Sequence, residues 1–365
     1  ARPSGSRLES GAAVVNRDGI ELRKPLEEEP LDLRGFERPR ALIREIEEDL
    51  TPLLDLVQRP VVSARPFSRE QLLQLARLAA RFETQPQLST RPLTGKIMIT
   101  AFYEPSTRTR LSFESAWHRL GGDIMSITDP ASTGLAKGES LQDIGEMLSG
   151  YGHLVVLRDS NEQSVYEMLE TLRVPIINGG NGLDEHPTQA LADIYALLKW
   201  RPAMSRETPP GSERVRLGII GVPGRMRTIR SLLLLLAHFS TALDEIVLIT
   251  DEQEPFADGQ MDELSDKGLR FRISDDLNAE LPSLDVVNTN SILWTGEGFE
   301  ELGQKFRLDA ESPLKPSAIV LHPLARGKEL SRQLDSTPHN WYFAQARGAV
   351  FIRMALLSTM LRLFA

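Results

Sequence analysis

The chain has 365 residues, 41% hydrophobic and 25% charged, an ordinary globular composition and long enough for about two domains. Its 42 Lys and Arg against 51 Asp and Glu give a net charge of −9, which argues against a general nucleic-acid binder but leaves room for a local cationic pocket. Cysteine is absent, which excludes disulfides, thiolate zinc sites and cysteine nucleophiles, and the longest apolar run, Leu232 to Ala237, is six residues, far short of a membrane span.

Residues 1–39 are rich in Arg, Glu, Gly and Pro without a sustained period, the pattern of an exposed extension. The opening Ala1-Arg2-Pro3-Ser4-Gly5 lacks the apolar stretch of a secretory leader, so a cytoplasmic location is expected. A helix is predicted over Arg40–Gln58, with Leu42, Ile43, Ile46, Leu50 and Leu53 on one side. A second starts at Ser68, where Ser68 and Gln71 make a capping-box pair. Beyond Gly95, short apolar runs at Ile97–Thr100, Ile124–Ile127, His153–Leu157 and Pro175–Asn178 read as buried strands. Helical patterns at Arg108–Leu120, Glu139–Leu148 and Gln163–Leu172 separate them, and a long helix is predicted from Pro187 to Trp200. Arg201–Glu213, with three prolines and a glycine, reads as an interdomain linker.

A second series follows, with strands at Val215–Gly221, Ile246–Thr250, Phe271–Ile273, Val286–Asn288 and Ile319–Leu321. The end, Pro338 to Phe364, reads as a closing helix able to pack back on the first domain. Strands alternating with helices predict an α/β protein of two doubly wound, parallel-sheet (Rossmann-like) domains bridged by helices. The expected division is an extension over 1–66, a first domain over 67–200, a second over 201–337 and the C-terminal helix over 338–365.

Two segments carry chemistry. Phe102-Tyr103-Glu104-Pro105-Ser106-Thr107-Arg108-Thr109-Arg110 follows a strand and opens a helix, where free N–H groups and the positive helix end meet an anion. Ser106, Thr107 and Thr109 add hydroxyl donors, and Arg108 adds a forked cation suited to phosphate oxygens. In the second, His186-Pro187-Thr188-Gln189, proline suits a helix start and places His186 and Gln189 on one face. No second His, Asp or Glu stands at ligand spacing beside His186, so neither metal nor cofactor is expected.

Together these segments resemble the aspartate/ornithine carbamoyltransferase family, and within it the aspartate-type catalytic chains. The resemblance extends through Lys137-Gly138-Glu139-Ser140-Leu141-Gln142-Asp143, Arg158, His322-Pro323-Leu324 and Trp341-Tyr342-Phe343-Ala344-Gln345-Ala346, and covers the chain from about Phe67 onward. It implies transfer of a carbamoyl group from carbamoyl phosphate to an amine, with aspartate as the acceptor and N-carbamoyl-aspartate, a pyrimidine precursor, as the product. By the resemblance the first domain binds carbamoyl phosphate and the second the acceptor. Ser106, Thr107, Arg108 and Thr109 would hold the phosphate; Thr109, Arg158 and His186 would polarise the carbonyl. Gln189 and the Leu324 carbonyl would orient the carbamoyl NH2. The resemblance further implies a homotrimer with shared sites, in which Thr133 and Lys137 reach the neighbouring subunit's site.

For the acceptor, the resemblance assigns Arg227, with Glu104 pairing to it as the domains close. Three arginines, Arg225, Arg227 and Arg230, around one helix start oppose the dipole and favour an anionic partner. A second acceptor loop departs from the family: Ser291 stands where an arginine is usual and Leu293 where a glutamine is usual. Ala325 replaces a second proline after His322-Pro323-Leu324. Two alternatives therefore stand beside aspartate: a carbamoyltransferase for a different amine, and a catalytically silent structural or regulatory homologue.

Overall fold

The computed structural model describes residues 37–85, 91–290 and 305–362, with the backbone of a short hairpin pairing Val15–Asn16 with Gly19–Ile20. The first sheet is built from β1 (Ile97–Phe102), β2 (Asp123–Ile127), β3 (Leu154–Asp159) and β4 (Ile176–Asn181), all parallel, in the order β2-β1-β3-β4. The second contains β5 (Val215–Ile220), β6 (Leu243–Ile249), β7 (Phe271–Ser274), β8 (Val286–Thr289) and β9 (Ile319–Leu321), also parallel, in the order β9-β8-β5-β6-β7. This is the expected pair of doubly wound α/β units.

Burial explains why the strands read as unbroken apolar runs. On β1, Met98 and Phe102 face one core cluster while Ile99 and Ala101 face another. On β6, Ile246 and Leu248 face one and Val247 and Ile249 the other. With helices on both faces, neither side of a central strand meets water, so alternation disappears.

Helix α1 (Glu37–Glu45) precedes α2 (Arg69–Thr84), whose start carries the Ser68–Gln71 capping box. In the first unit, α3 (Thr107–Arg119), α4 (Leu141–Ser149) and α5 (Ser164–Leu169) follow the strands. The bridge is α6 (Pro187–Trp200), buried along nearly its whole length between the first unit and α7 (Arg227–Leu236). In the second unit α8 (Gln260–Asp266) and the one-turn α9 (Leu277–Glu280) follow. The terminal α10 (Tyr342–Met360) packs against α2, α3 and α6. One core cluster consequently runs from α2 through α6 and α10 to the second sheet.

Two expectations fail locally. The single helix over Arg40–Gln58 is instead α1 followed by a 3-10 turn at Thr51–Leu56. Pro52 cannot donate to a continuing helix, and Gln74 holds the intervening chain, accepting from Asp49 N at 3.2 Å and donating to Glu47 O at 2.9 Å. The helix predicted over Gln163–Leu172 shortens to α5. Beyond it the Thr171 hydroxyl donates to Gln142 O at 2.6 Å, and Pro175 disfavours a helical residue before it. No helix among the described residues is long and apolar enough to cross a membrane.

Candidate active site

Topology brings the candidate residues together. In the first sheet the strand order reverses between β1 and β3, and in the second between β5 and β8; such switch points open a crevice at the carboxyl ends of the strands. The segment Tyr103–Thr109 leaves β1, Arg158 lies at the end of β3, and Arg227 opens the helix after β5.

Ser106 is the N-cap of α3 with extended backbone, and its side chain makes no capping bond, so its hydroxyl is not consumed by the helix. Thr107 and Arg108 are exposed on the first turn, whereas Thr109 is buried, with Oγ1 3.4 Å from His186 Nε2. Arg108 makes no hydrogen bond or ion pair with the described residues, unlike Arg110, which pairs with Glu114 at 3.2 Å.

His186 caps α6 ahead of Pro187 and is itself buried. Its backbone N–H donates to Ser231 Oγ at 3.0 Å, and Ser231 donates to Glu185 Oε2 at 3.0 Å. Glu185 also accepts from Ser63 Oγ at 2.6 Å and Ala64 N at 2.7 Å, so two distant segments, around Ser63 and Ser231, hold the histidine's backbone. Burial, together with the charges of Arg158, Arg227 and Arg353, pushes the His186 pKa well below 6.5. The imidazole is therefore neutral, and its Nδ1 is buried without a partner among the described residues.

Arg158 donates to Gly179 O at 3.2 Å and to Glu104 Oε1 at 2.7 Å. Arg227 reaches the same carboxylate from the second unit, at 3.1 and 3.2 Å, and also donates to Gly182 O at 2.6 Å. Glu104 therefore pairs with Arg227, and with Arg158 as well. Gly180, at φ +114°, makes room for this pairing: a Cβ there would lie 3.1 Å from Arg158 Nη1 and 3.4 Å from Arg227 Cζ. Burial alone would raise the Glu104 pKa, but the hydrogen bond from Arg227 and the charges of both arginines outweigh it and hold the carboxyl below its ordinary 4.5.

A depressed carboxyl pKa contributes stability that is complete above pH 4.5 and is lost as pH falls through the lowered value. Acid should therefore loosen the junction between the two units before global unfolding. Small-angle scattering below pH 4.5 is expected to show expansion in the native protein and, with Glu104→Gln, no such acid-dependent step. Identical acid expansion in both proteins would assign the effect to other carboxylates.

Gln189 and Leu324 are each fixed by a hydrogen bond of their own. Gln189, on the first turn of α6, donates from Nε2 to Asp193 Oδ1 at 2.7 Å. Leu324 has φ +56°, its N–H donates to His322 Nδ1 at 2.7 Å, and its peptide bond to Ala325 is cis. Thr133 and Lys137 lie in a surface loop of two 3-10 turns, self-capped by Asp129 and Thr133. Lys137 is exposed and makes no hydrogen bond or ion pair with the described residues. On the acceptor side, Arg225 pairs with Glu252 at 2.8 Å and Arg230 stands 3.8 Å from Asp184. Asn290 Nδ2 donates to Thr228 Oγ1 at 2.6 Å, while Ser291 and Leu293 lie outside the described residues. No cluster of three or more His, Asp or Glu among the described residues is placed to hold a metal ion.

Two family models match the chain in order. Residues 59–199 match the carbamoyl-phosphate-binding domain of aspartate/ornithine carbamoyltransferase, and residues 213–360 match its Asp/Orn-binding domain. The chain belongs to the aspartate/ornithine carbamoyltransferase family. It is 35% identical over 313 residues to the aspartate carbamoyltransferase catalytic subunit of Chromobacterium violaceum, covering 84% of this chain and 99% of that one. The Pyrobaculum calidifontis catalytic subunit is 36% identical over 305 residues, covering 82% and 96%. Among solved structures, the aspartate transcarbamoylase of Trypanosoma cruzi in complex with carbamoyl phosphate and aspartate matches with a TM-score of 0.77 and 30% identity, over 86% of this chain and 98% of that one. Several polar residues around the site were not flagged by local pattern: Glu185, Ser231, Asp193 and Arg353. Each is buried and finds its partners across the fold.

Proposed function

We propose that the protein transfers the carbamoyl group of carbamoyl phosphate to the amino group of L-aspartate, yielding N-carbamoyl-aspartate and phosphate for pyrimidine biosynthesis. The observation that carries this reading is the convergence, in one crevice, of the Ser106–Thr109 helix start, Arg158 and a neutral His186. In the reaction an uncharged amine attacks the carbonyl carbon, the new C–N bond forms, the bond to the phosphate oxygen breaks, and the proton lost by the amine passes to the leaving phosphate. Charge grows first on the carbonyl oxygen and then on the leaving phosphate, so the site needs donors aimed at both. Ser106, Thr107, Arg108 and Thr109 hold the phosphate; Thr109, Arg158 and His186 polarise the carbonyl. Being neutral, His186 serves as a hydrogen-bond donor without a proton to lose near neutral pH. Gln189 and the Leu324 carbonyl hold the carbamoyl NH2.

On this reading Arg227 serves the acceptor, joined by Thr133 and Lys137 of an adjacent subunit in a homotrimer with shared sites. Aspartate as acceptor is supported by the names of the relatives and by the solved neighbour that holds aspartate. A different amine is favoured by Ser291 and Leu293, and by Arg225 and Arg230 already facing carboxylates. Loss of a bidentate arginine contact costs on the order of 2–4 kcal/mol, or roughly 30- to 1,000-fold in efficiency for a dicarboxylate. Steady-state assays with aspartate, ornithine and neutral or monoanionic amines decide the matter, with aspartate expected to be turned over fastest. A faster alternative amine beside barely detectable aspartate turnover would overturn aspartate as acceptor. No phosphate release with any amine would identify a silent homologue.

A further inference from the structure

A chain of hydrogen bonds joins the two groups assigned to the carbamoyl NH2, although they lie on opposite units. Gln189 Nε2 donates to Asp193 Oδ1 at 2.7 Å, and Gln345 Nε2 donates to the same oxygen at 2.6 Å. Gln345 Oε1 accepts from His322 N at 2.9 Å, and His322 Nδ1 accepts from Leu324 N at 2.7 Å. His322 Nε2 closes the chain on Glu329 Oε1 at 2.9 Å. Asp193, His322 and Gln345 are each no more than 2% exposed.

The chemistry of the ends fixes every orientation between them. Burial pushes the Asp193 carboxyl up to about 7, and above that pH the carboxylate only accepts, so both glutamines must turn their NH2 groups toward it, as found. Gln345 is then left with its carbonyl toward the His322 N–H, as found. A peptide N–H only donates, so His322 Nδ1 is the acceptor and Nε2 carries the proton that goes to Glu329. For Gln189 the consequence is functional. With Nε2 committed to Asp193, its Oε1 is the end left for the ligand.

We propose that Asp193 is a positioning residue, which through Gln189 and Gln345 presents the Gln189 and Leu324 carbonyl oxygens together as acceptors for the donor's NH2. The proposal rests on the carbamoyl-phosphate reading of the site and deepens it by assigning the origin of selectivity for a carbamoyl over an acyl donor. Acetyl phosphate carries the same phosphate and carbonyl but has a methyl group where carbamoyl phosphate has NH2. A flipped Gln189 amide would face a donor NH2 with another NH2, which forfeits the hydrogen bond and opposes like dipoles.

The experiment is calorimetric binding of carbamoyl phosphate and acetyl phosphate to the full chain. In the native protein carbamoyl phosphate should bind more tightly. Asp193→Ala should cut that preference by about 3- to 10-fold, the scale of one neutral hydrogen bond, and chiefly by weakening carbamoyl phosphate. Gln189→Ala should do the same, and the double substitution should go no further, because both remove one interaction. Gln345→Ala leaves Asp193 paired with Gln189 but releases His322, so a smaller loss of the same kind is expected; it decides the question should Asp193→Ala fold poorly. Equal weakening of both ligands, or additive effects of the two substitutions, would reduce Asp193 to a packing role and overturn the proposal. A native protein that binds neither ligand would instead overturn the donor-site reading.

Discussion

Arg108→Ala is expected to weaken carbamoyl phosphate binding by about 10- to 150-fold, with no loss of thermal stability. The size follows from removing one charge-assisted contact, worth about 1.5–3 kcal/mol. The unchanged stability follows from its surroundings. Arg158 and Arg227 share Glu104, whereas Arg108 is exposed and makes no hydrogen bond or ion pair with the described residues. Burial first, then the like charge of Arg227, lower the pKa of Arg158; Glu104 offsets only part of this and Arg108 adds a weaker lowering, so positive charge remains in excess here. An anion relieves that excess, and so does deletion of Arg108. Calorimetry should therefore show a large loss of affinity, while the melting temperature stays level or rises. Unchanged affinity would remove Arg108 from the site; a large fall in melting temperature would make it a structural arginine.

What could be read from the sequence follows from which forces act locally. The strands were legible because helices cover both faces of each sheet and leave apolar runs such as Leu154–Leu157. The start of α6 was legible because Pro187 suits a first helical turn, and the start of α2 because Ser68 and Gln71 satisfy each other within four residues. Ser106 to Thr109 stood out because several donors around a cation at a strand-to-helix junction have few structural uses. By contrast, the break after α1 depends on Gln74, some 25 residues distant, as well as on Pro52. Asp193 and Gln345 are separated by 152 positions, and nothing in either local pattern announces the pair. Arg353 sits in a buried helix between Phe113, 4.7 Å from its guanidinium, and Ser112; in the sequence it is merely one charge in an apolar stretch.

Mixing an Arg108→Ala chain with a Lys137→Ala chain, assayed at carbamoyl phosphate too dilute for either alone to turn over appreciably, is expected to recover about a quarter of native activity. The expectation rests on the proposed trimer and on the surface position of Lys137, where the loop is held by its own caps while the lysine makes no hydrogen bond or ion pair with the described residues. A lysine so placed is available to a neighbouring subunit. If each site takes Arg108 from one chain and Lys137 from the next, a mixed trimer of either composition contains one site that escapes both substitutions. Random exchange at equal ratio makes about three-quarters of the trimers mixed, each with about one-third of its sites intact, which gives the quarter. The measurement is phosphate release after mild dissociation and reassociation, with exchange verified by native mass spectrometry of chains of different mass. Recovery near that level requires both the trimer and the shared site. Proven exchange without recovery would mean that Arg108 and Lys137 serve the same chain's site, or that Lys137 serves none.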